Sequence, residues 1–233
     1  MTADGAGRRR VHWHVVLVAL GAIVLLLLFP FRILLFEPFN APSGSMMPTI
    51  VVGDYLFVSK YRYGYSRYSL PFAQPAFAGR ILGREPERGD VVVYRQPKNP
   101  SIDYLKRVVG LPGDTIQIKG GILYLNGQAV PREPLGDYTD TELMTRKPRW
   151  RETLPGGRSY DVLDTGKSSV DNTAVFTVPT ERYFVLGDNR ENSMDSRMPE
   201  AQGGGMVPYE NLIGRVELIF YSADAARIGM TVR

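Results

Sequence analysis

The amino-acid sequence predicts an all-β, mainly antiparallel domain with a smaller inserted β lobe, preceded by one N-terminal transmembrane helix. Three observations support this fold class. A long apolar run lies near the N-terminus, short runs of β-forming residues bounded by Gly, Pro or Asp dominate the remainder, and no long amphipathic helix or internal repeat is present. The 233 residues are enough for an anchor and a domain with its own hydrophobic core.

The N-terminal segment predicts a membrane anchor. Three arginines, Arg8–Arg10, precede an apolar run that continues past Arg32, so that residues 15–36 reach the roughly 20 residues that cross a bilayer. The arginines place residues 1–14 in the cytoplasm and the folded domain on the opposite side of the membrane. A cleavable signal peptide is the alternative, although no clear small-x-small cleavage site follows the apolar core.

The domain beyond the anchor contains short predicted strands. They cover Asp54–Lys60, Asp90–Arg95, Asp103–Val109, Thr115–Ile118, Arg182–Leu186 and Leu212–Tyr221. Residues 122–130 predict a hairpin with a type I′ turn at Asn126-Gly127. Residues 131–180, rich in charge, Pro, Gly and Thr, predict an inserted lobe, which leaves 37–130 and 181–233 as the core.

Residues 61–82 follow neither a strand nor a helix period. Tyrosines and phenylalanines alternate loosely with arginines there, a composition typical of a membrane interface. An irregular surface loop whose aromatic side chains fold back onto the sheet fits the same pattern.

Composition excludes several kinds of site. The absence of cysteine excludes a thiol nucleophile, a disulfide framework and Cys-ligated zinc. Only two histidines occur, His12 and His14, on the basic flank of the anchor, so the domain beyond it has neither a Ser-His-Asp triad nor a His-based metal site. The net charge of +4 is spread among acidic residues, which does not indicate nucleic-acid binding.

A serine pair follows the anchor in Pro42-Ser43-Gly44-Ser45-Met46-Met47-Pro48. Gly44 lets the backbone approach a ligand, and the two hydroxyls can share one small volume. This arrangement suits a nucleophile beside an oxyanion donor. A Pro/Gly/Ser turn that merely leaves the membrane segment is the alternative.

Without histidine, a serine nucleophile needs a lysine or a carboxylate as its base. Lys106 lies within an apolar strand, where the period of two places it with Tyr104 and Val108 on one face. At least one face of this strand must be buried, and burial favours the neutral amine that can accept a proton. The alternative is a lysine that reaches solvent from a half-exposed strand.

The loop 187–197 is unusually rich in polar side chains. It can be a hairpin loop held by its own hydrogen bonds and by an Asp195–Arg197 or Asp188–Arg190 ion pair. Alternatively, a hydroxyl such as that of Ser193 accepts a hydrogen bond from the lysine amine and orients it.

Together these segments resemble the type I signal peptidases, bacterial membrane-bound serine proteases. The matching boxes, in chain order, are Pro42–Thr49 with Gly53-Asp54, Arg88–Val93, Asp103–Asp114, Gly187–Arg190 with Asn192-Ser193 and Asp195–Arg197, and Val207-Pro208 with Leu212–Arg215. The resemblance implies that Ser45 is the nucleophile, Lys106 the general base and later the acid, and Ser193 the hydroxyl that orients Lys106. It further implies an oxyanion hole made by the Ser45 backbone N–H and the Ser43 hydroxyl, with structural support from Asp188, Asp195 and Arg197.

The resemblance also implies how substrate binds. An extended peptide adds a strand beside residues 39–42, and shallow apolar pockets admit small residues at the first and third positions before the cut. The residues expected to form this binding site are Phe39, Ala41, Pro42, Met46, Ile50, Tyr104 and Leu105. The chain departs from the family pattern at Ala41, where a larger aliphatic residue is usual, and in a loop lengthened by Gly203–Gly205.

The implied function is cleavage of N-terminal signal peptides from exported preproteins by a Ser-Lys dyad, without a cofactor or metal. The implied location is the bacterial cytoplasmic membrane, with the N-terminus in the cytoplasm and the catalytic domain outside it. The expected partners are exported preproteins and the phospholipid membrane, and no nucleic acid. Two alternatives are a specialised protease for a single precursor and a membrane-tethered β adaptor that binds without cutting.

Overall fold

The computed structural model describes residues 13–30, 34–70, 77–140 and 144–232. Helix α1 covers Trp13–Pro30. In the ranges given above, no helix combines the length and the apolar character needed to span a membrane. The predicted anchor at 15–36 therefore stays a prediction, and its residues 31–33, together with Arg8–Arg10, lie outside the described residues.

Strands make up most of the described chain. They are β1 Phe36–Asn40, β2 Tyr55–Ser59, β3 Val91–Arg95, β4 Asp103–Gly110, β5 Thr115–Lys119, β6 Ile122–Leu125, β7 Gln128–Ala129, β8 Arg132–Asp140, β9 Thr145–Thr153, β10 Ser159–Leu163, β11 Phe176–Thr177, β12 Arg182–Leu186, β13 Val207–Pro208 and β14 Leu212–Tyr221. The named strands pair in antiparallel fashion, which confirms the predicted mainly antiparallel β domain.

Three sheets organise these strands. The largest has the order β1-β2-β14-β3-β4-β12-β13, and smaller sheets have the orders β11-β5-β6-β7 and β10-β9-β8. Strand β1 lies at an edge of this sheet, where its neighbour is β2. In this antiparallel pair Phe39 of β1 lies opposite Leu56 of β2, for example. Because one side of β1 is unpaired within the sheet, its backbone can accept another strand.

Several sequence predictions agree closely with these elements. The bounds of β12 and β14 are those predicted, and the hairpin β6–β7 turns at Asn126 and Gly127 with φ values of 51° and 79°. Two consecutive positive φ values are the signature of the type I′ turn. The predicted turn is therefore confirmed.

The predicted lobe, residues 131–180, contains the three-stranded sheet β8–β10. Its residues 141–143 lie outside the described residues. Leu154 and Val162 of this region belong to the same buried cluster as Ile116 and Phe184 of the predicted core. Strand β11 also pairs with β5, so the lobe and the core share a hydrophobic interior, and the domain boundaries stay a prediction.

The described part of the aromatic segment folds back onto the sheet. Tyr63 is buried and donates its hydroxyl hydrogen to Asp90 at 2.9 Å, while Arg80 donates to the carbonyl oxygens of Gly64 and Tyr209 at 2.9 Å each. These contacts favour the surface-loop interpretation for this part. Residues 71–76, which include Phe72, lie outside the described residues.

Candidate active site

The serine pair lies in a tight turn directly after the edge strand. Residues Gly44–Met46 form one turn of 3-10 helix, and Ser45 is 7% exposed. A Cβ atom placed on Gly44 would lie 2.7 Å from the Met47 sulfur. Glycine therefore allows the turn to close tightly around the buried hydroxyl of Ser45.

Lys106 reaches this turn from β4. Its Nζ lies 2.8 Å from Ser45 Oγ and 3.0 Å from the carbonyl oxygen of Leu105. The Ser43 hydroxyl also donates to Ser45 Oγ, at 3.4 Å. The structure thus brings together three of the predicted catalytic residues, which are 63 positions apart at most. The distances are those of a nucleophile in contact with its base.

Burial determines the charge state of this lysine. The side chain is 4% exposed, and loss of hydration lowers the pKa of Lys106 from 10.5 to about 8. The charges of Asp195 and Asp188 oppose this change, and that of Arg197 adds to it. A neutral amine at hydrogen-bond distance can take the proton of the serine hydroxyl, so the geometry and the pKa support the same chemistry.

From Lys106 to Gly110 both faces of β4 are buried, beyond the single face that the strand period requires. Arg107, the neighbour of Lys106, is 0% exposed and points to the opposite side, where it donates from Nε and Nη2 to Asp188 at 2.9 and 2.7 Å. Its guanidinium also stacks over the Tyr160 ring, 4.2 Å from the centroid. The strand is therefore fixed from both sides, which limits movement of Lys106.

Ser193 lies close to the dyad without a hydrogen bond to it. A Cβ placed on Gly187 would meet both the Ser193 hydroxyl, at 2.2 Å, and the Ser45 carbonyl oxygen, at 2.6 Å. The buried Ser193 Oγ lies beside the Asp195 carboxylate but in no geometry that makes a hydrogen bond. The predicted hydrogen bond from Lys106 to the Ser193 hydroxyl is not formed in this structure, and the role of Ser193 in orienting Lys106 stays a prediction.

The ion pairs of loop 187–197 are only partly those predicted. Arg197 donates to Asp195 from Nε and Nη2, both at 2.9 Å, as expected. The Asp188–Arg190 pair is wrong, because Asp188 pairs with Arg107 and Arg190 donates to Glu152 at 3.0 Å. The loop is thus held by partners from β4 and β9 that local sequence does not reveal.

Asn189 connects loop 187–197 by hydrogen bonds to the turn that contains Ser45. Its backbone N–H donates to the Ser45 carbonyl oxygen at 3.1 Å, and its side-chain amide donates to the Gly44 carbonyl oxygen at 2.9 Å. Lys147 of β9 donates in turn to Asn189 Oδ1 at 3.3 Å. Sequence reasoning missed Asn189, because an uncharged residue in a polar loop carries no distinguishing signal; its place beside Asp188 was the only hint.

A cleft of about 370 Å³ opens beside the dyad. Five of the predicted binding residues line it, namely Phe39, Ala41, Pro42, Tyr104 and Leu105. Met46 and Ile50 do not line it, so their place in the binding site stays a prediction. They are 1% and 0% exposed and belong to the same buried cluster as Leu56, which does line the cleft. Leu56, Val93, Asn192 and Met194 line the cleft and were missed.

The two departures from the family pattern lie at the cleft or beside it. Ala41 is buried in the wall, where its small side chain leaves the cleft wider than a larger residue would. In the lengthened loop, Gly203 has a φ of 93°, and a Cβ placed on it would lie 3.5 Å from the Tyr104 hydroxyl. The extra residues therefore reach the side chain that forms one end of the cleft.

Comparison with known proteins identifies the family of this chain. The family model described as signal peptidase, peptidase S26, matches residues 12–221. Signal peptidase I of Rickettsia typhi is 45% identical over 202 residues, 82% of this chain and 74% of that protein, and signal peptidase I of Rickettsia conorii is 44% identical over 212 residues, 86% and 77% respectively. A crystal structure of a signal peptidase I from Enterococcus faecalis is 27% identical, covers 57% of this chain and 97% of its own, and has a TM-score of 0.34. The chain therefore belongs to the signal peptidase family, peptidase S26, hydrolases that cleave signal peptides from preproteins.

Proposed function

We propose that this chain cleaves N-terminal signal peptides from exported preproteins with Ser45 as the nucleophile and Lys106 as the general base. The observation that carries the proposal is the 2.8 Å contact between Lys106 Nζ and Ser45 Oγ inside a buried site. The described residues offer no histidine near this serine, since the only described one, His14, lies in α1. The lysine is then the group that can activate the hydroxyl.

Acylation begins when the neutral amine of Lys106 takes the proton of Ser45 Oγ. The oxygen attacks the scissile carbonyl carbon, and the new oxyanion receives hydrogen bonds from the Ser45 backbone N–H and the Ser43 hydroxyl. The protonated Lys106 then gives its proton to the leaving amine. The position of Ser43 supports this role, because its hydroxyl already points at Ser45 Oγ, 3.4 Å away.

Deacylation repeats these steps with water. Lys106 removes a proton from water, and the hydroxide attacks the acyl carbon. The ester bond to Ser45 Oγ then breaks, Lys106 returns the proton to that oxygen, and the signal peptide is released. The Ser193 hydroxyl orients the amine in this cycle, and its position against Gly187, close to the Ser45 carbonyl oxygen, supports this role. Asp195, held by Arg197, and Asp188, held by Arg107, support the loop that carries Ser193.

The substrate binds in extended form along the edge strand. The unpaired side of β1 and the following residues 41–42 supply main-chain hydrogen bonds, while the apolar cleft receives alternate side chains. The buried Ala41, Leu56 and Val93 make its walls shallow, which favours small residues at the first and third positions before the cut.

The chain acts at a membrane. Residues 15–36 anchor it in the cytoplasmic membrane, with residues 1–14 in the cytoplasm and the catalytic domain outside. Helix α1 supports this part of the proposal, because it is uncharged and exposes large apolar side chains such as Leu17 and Leu25. Retention of the full chain in the membrane pellet after alkaline carbonate extraction is the expected result, and release into the supernatant would contradict it.

The central test uses the full chain in detergent micelles with a model preprotein. The wild type is expected to release a product whose new N-terminus follows a small-x-small sequence, whereas Ser45→Ala and Lys106→Ala are expected to release none. Ser159→Ala, a change at an exposed serine of β10, is the matched control. Normal cleavage by Lys106→Ala would refute the assignment of the base.

A further inference from the structure

A second cavity lies next to the catalytic cleft. It has a volume of about 370 Å³. It is lined by Ser168–Val170, which precede β11, by Arg190–Met194 of loop 187–197 and by Met198, which follows that loop. The catalytic cleft is a separate cavity, but Asn192 and Met194 line both. These two side chains therefore form a partition with one cavity on each side.

The partition adjoins the nucleophile. A Cβ placed on Gly44 would lie 3.7 Å from the Asn192 side-chain amide, so Asn192 lies against the turn that carries Ser45. The catalytic cleft extends from this point to Phe39 and the edge strand. A polypeptide cut at Ser45 must continue on both sides of the scissile bond. The second cavity lies across Asn192 from the cleft, where the part that follows the bond can pass.

The lining of the second cavity differs in chemistry from that of the cleft. Ser168, Ser169 and Ser193 offer hydroxyls, and Asn192 offers an amide, all of which can donate and accept hydrogen bonds. Arg190, whose guanidinium donates to Glu152, and Glu191 also line this cavity. Met194 and Met198 add flexible apolar surface that adapts to different shapes.

This lining suits an extended peptide of varied sequence. Hydroxyls and an amide can satisfy main-chain N–H and C=O groups, which every peptide has, while the methionines tolerate different side chains. The apolar cleft, by contrast, selects side chains by size. Two extended residues span about 7 Å, enough to pass from the scissile bond across one side chain such as Asn192.

We propose that this cavity is the subsite for the second and third residues after the scissile bond, the start of the mature protein. The inference rests on the proposed function. Occupation of the cavity draws the peptide across Asn192 and holds the scissile carbonyl at Ser45. Substrates that end at the first residue after the bond lack this contact and are cut more slowly.

The first experiment needs no variant. Two synthetic peptides share the sequence before the bond, and one carries one residue after it while the other carries five, both amidated. The full chain in micelles is expected to show kcat/KM about tenfold higher for the longer peptide, the effect of about one net hydrogen bond. Equal kcat/KM values would overturn the subsite alone. Failure to cut either peptide or a full-length preprotein would overturn the proposed function as well.

A variant tests whether the second cavity is the source of the higher kcat/KM of the longer peptide. Ser169→Trp fills the cavity from an exposed position, so its folding is expected to be normal and is checked by thermal unfolding. The ratio of kcat/KM between the long and the short peptide is expected to fall from about ten toward one, because the lost hydrogen bonds are those of the second cavity. Ser159→Trp, at an exposed serine of a different cavity, is expected to keep the wild-type ratio. A wild-type ratio in Ser169→Trp would place the extra binding elsewhere and overturn the proposal.

Discussion

The pH dependence of cleavage is the most direct test of the buried lysine. The proposed mechanism requires a neutral Lys106, and its pKa is lowered to about 8. One pH unit below that value only about a tenth of the molecules carry a neutral amine, because the ratio of the two forms changes tenfold per unit. We therefore expect kcat/KM to rise about tenfold per pH unit up to pH 7 and to level off above pH 8.

The assay measures kcat/KM on a peptide without titrating groups between pH 6 and pH 10. An ordinary lysine, with its pKa of 10.5, would give a rate that still rises at pH 10. Either that result or a profile that is flat from pH 6 to pH 8 would refute the reasoning. Circular dichroism at each pH checks that the fold is retained over the range.

The same pKa change has a consequence for stability. The difference between 10.5 and about 8, at 1.36 kcal/mol per unit, means that the charged lysine costs the folded state about 3 kcal/mol. Between these two pH values the unfolded chain binds more protons at this residue than the folded chain, so this contribution makes stability rise with pH. Below pH 8 the lysine is charged in both states and the full cost is present.

Replacing Lys106 with methionine removes this cost. The free energy of unfolding at pH 7 is expected to increase by up to about 3 kcal/mol, reduced by the loss of the hydrogen bond to Ser45. The part of the pH dependence between 8 and 10.5 that is due to this residue is expected to disappear. Stability at pH 7 is measured by urea unfolding. An inactive variant that is less stable than the wild type would show that burial of the charged lysine does not destabilise the folded state.

Three further substitutions test the rest of the site. Ser43→Ala is expected to lower kcat by roughly 100-fold to 1000-fold, the usual effect of losing one oxyanion donor; kcat within a factor of three of wild type would contradict this. Asn189→Ala removes the bond to Gly44 and is expected to lower kcat about fivefold while KM changes little, because one net hydrogen bond is worth about 1 kcal/mol; a change confined to KM would exclude a positioning role. Arg107→Met leaves Asp188 buried without its partner and is expected to cost about 3–5 kcal/mol of stability in urea unfolding; a loss below 1 kcal/mol would show that the pair is dispensable.

The sequence predicts the contact between Ser45 and Lys106 for a chemical reason. Without cysteine, and with its histidines on the flank of the predicted anchor, the domain has few ways to activate a hydroxyl, and Lys106 lies within an apolar strand beside recognisable motifs. The ends of the strands follow from Gly, Pro and Asp in the same way. All of these signals come from neighbouring residues. The structure confirms the mainly antiparallel β core and brings Ser43, Ser45 and Lys106 together.

Pairings between distant segments could not be predicted. Arg190 is three positions from Ser193 and two from Asp188, yet its partner Glu152 lies on β9, 38 residues earlier in the chain. The inward direction of Met46 likewise depends on the tertiary path of the turn. Periodicity and motif spacing carry no information on such contacts, because these depend on how the sheets pack together.

The buried ion pairs help to explain how the pKa of a lysine stays low near carboxylates. Asp195 and Asp188 both raise the pKa of Lys106, and either one unpaired in so dry a site would favour the ammonium form. Each is instead paired with a buried arginine, Arg197 or Arg107, and the charge of Arg197 itself lowers the pKa of the amine. Loss of hydration outweighs the attraction to the two carboxylates, and the pKa falls. Loop 187–197 can therefore contain buried carboxylates for support while the proposed base beside Ser45 keeps a lowered pKa.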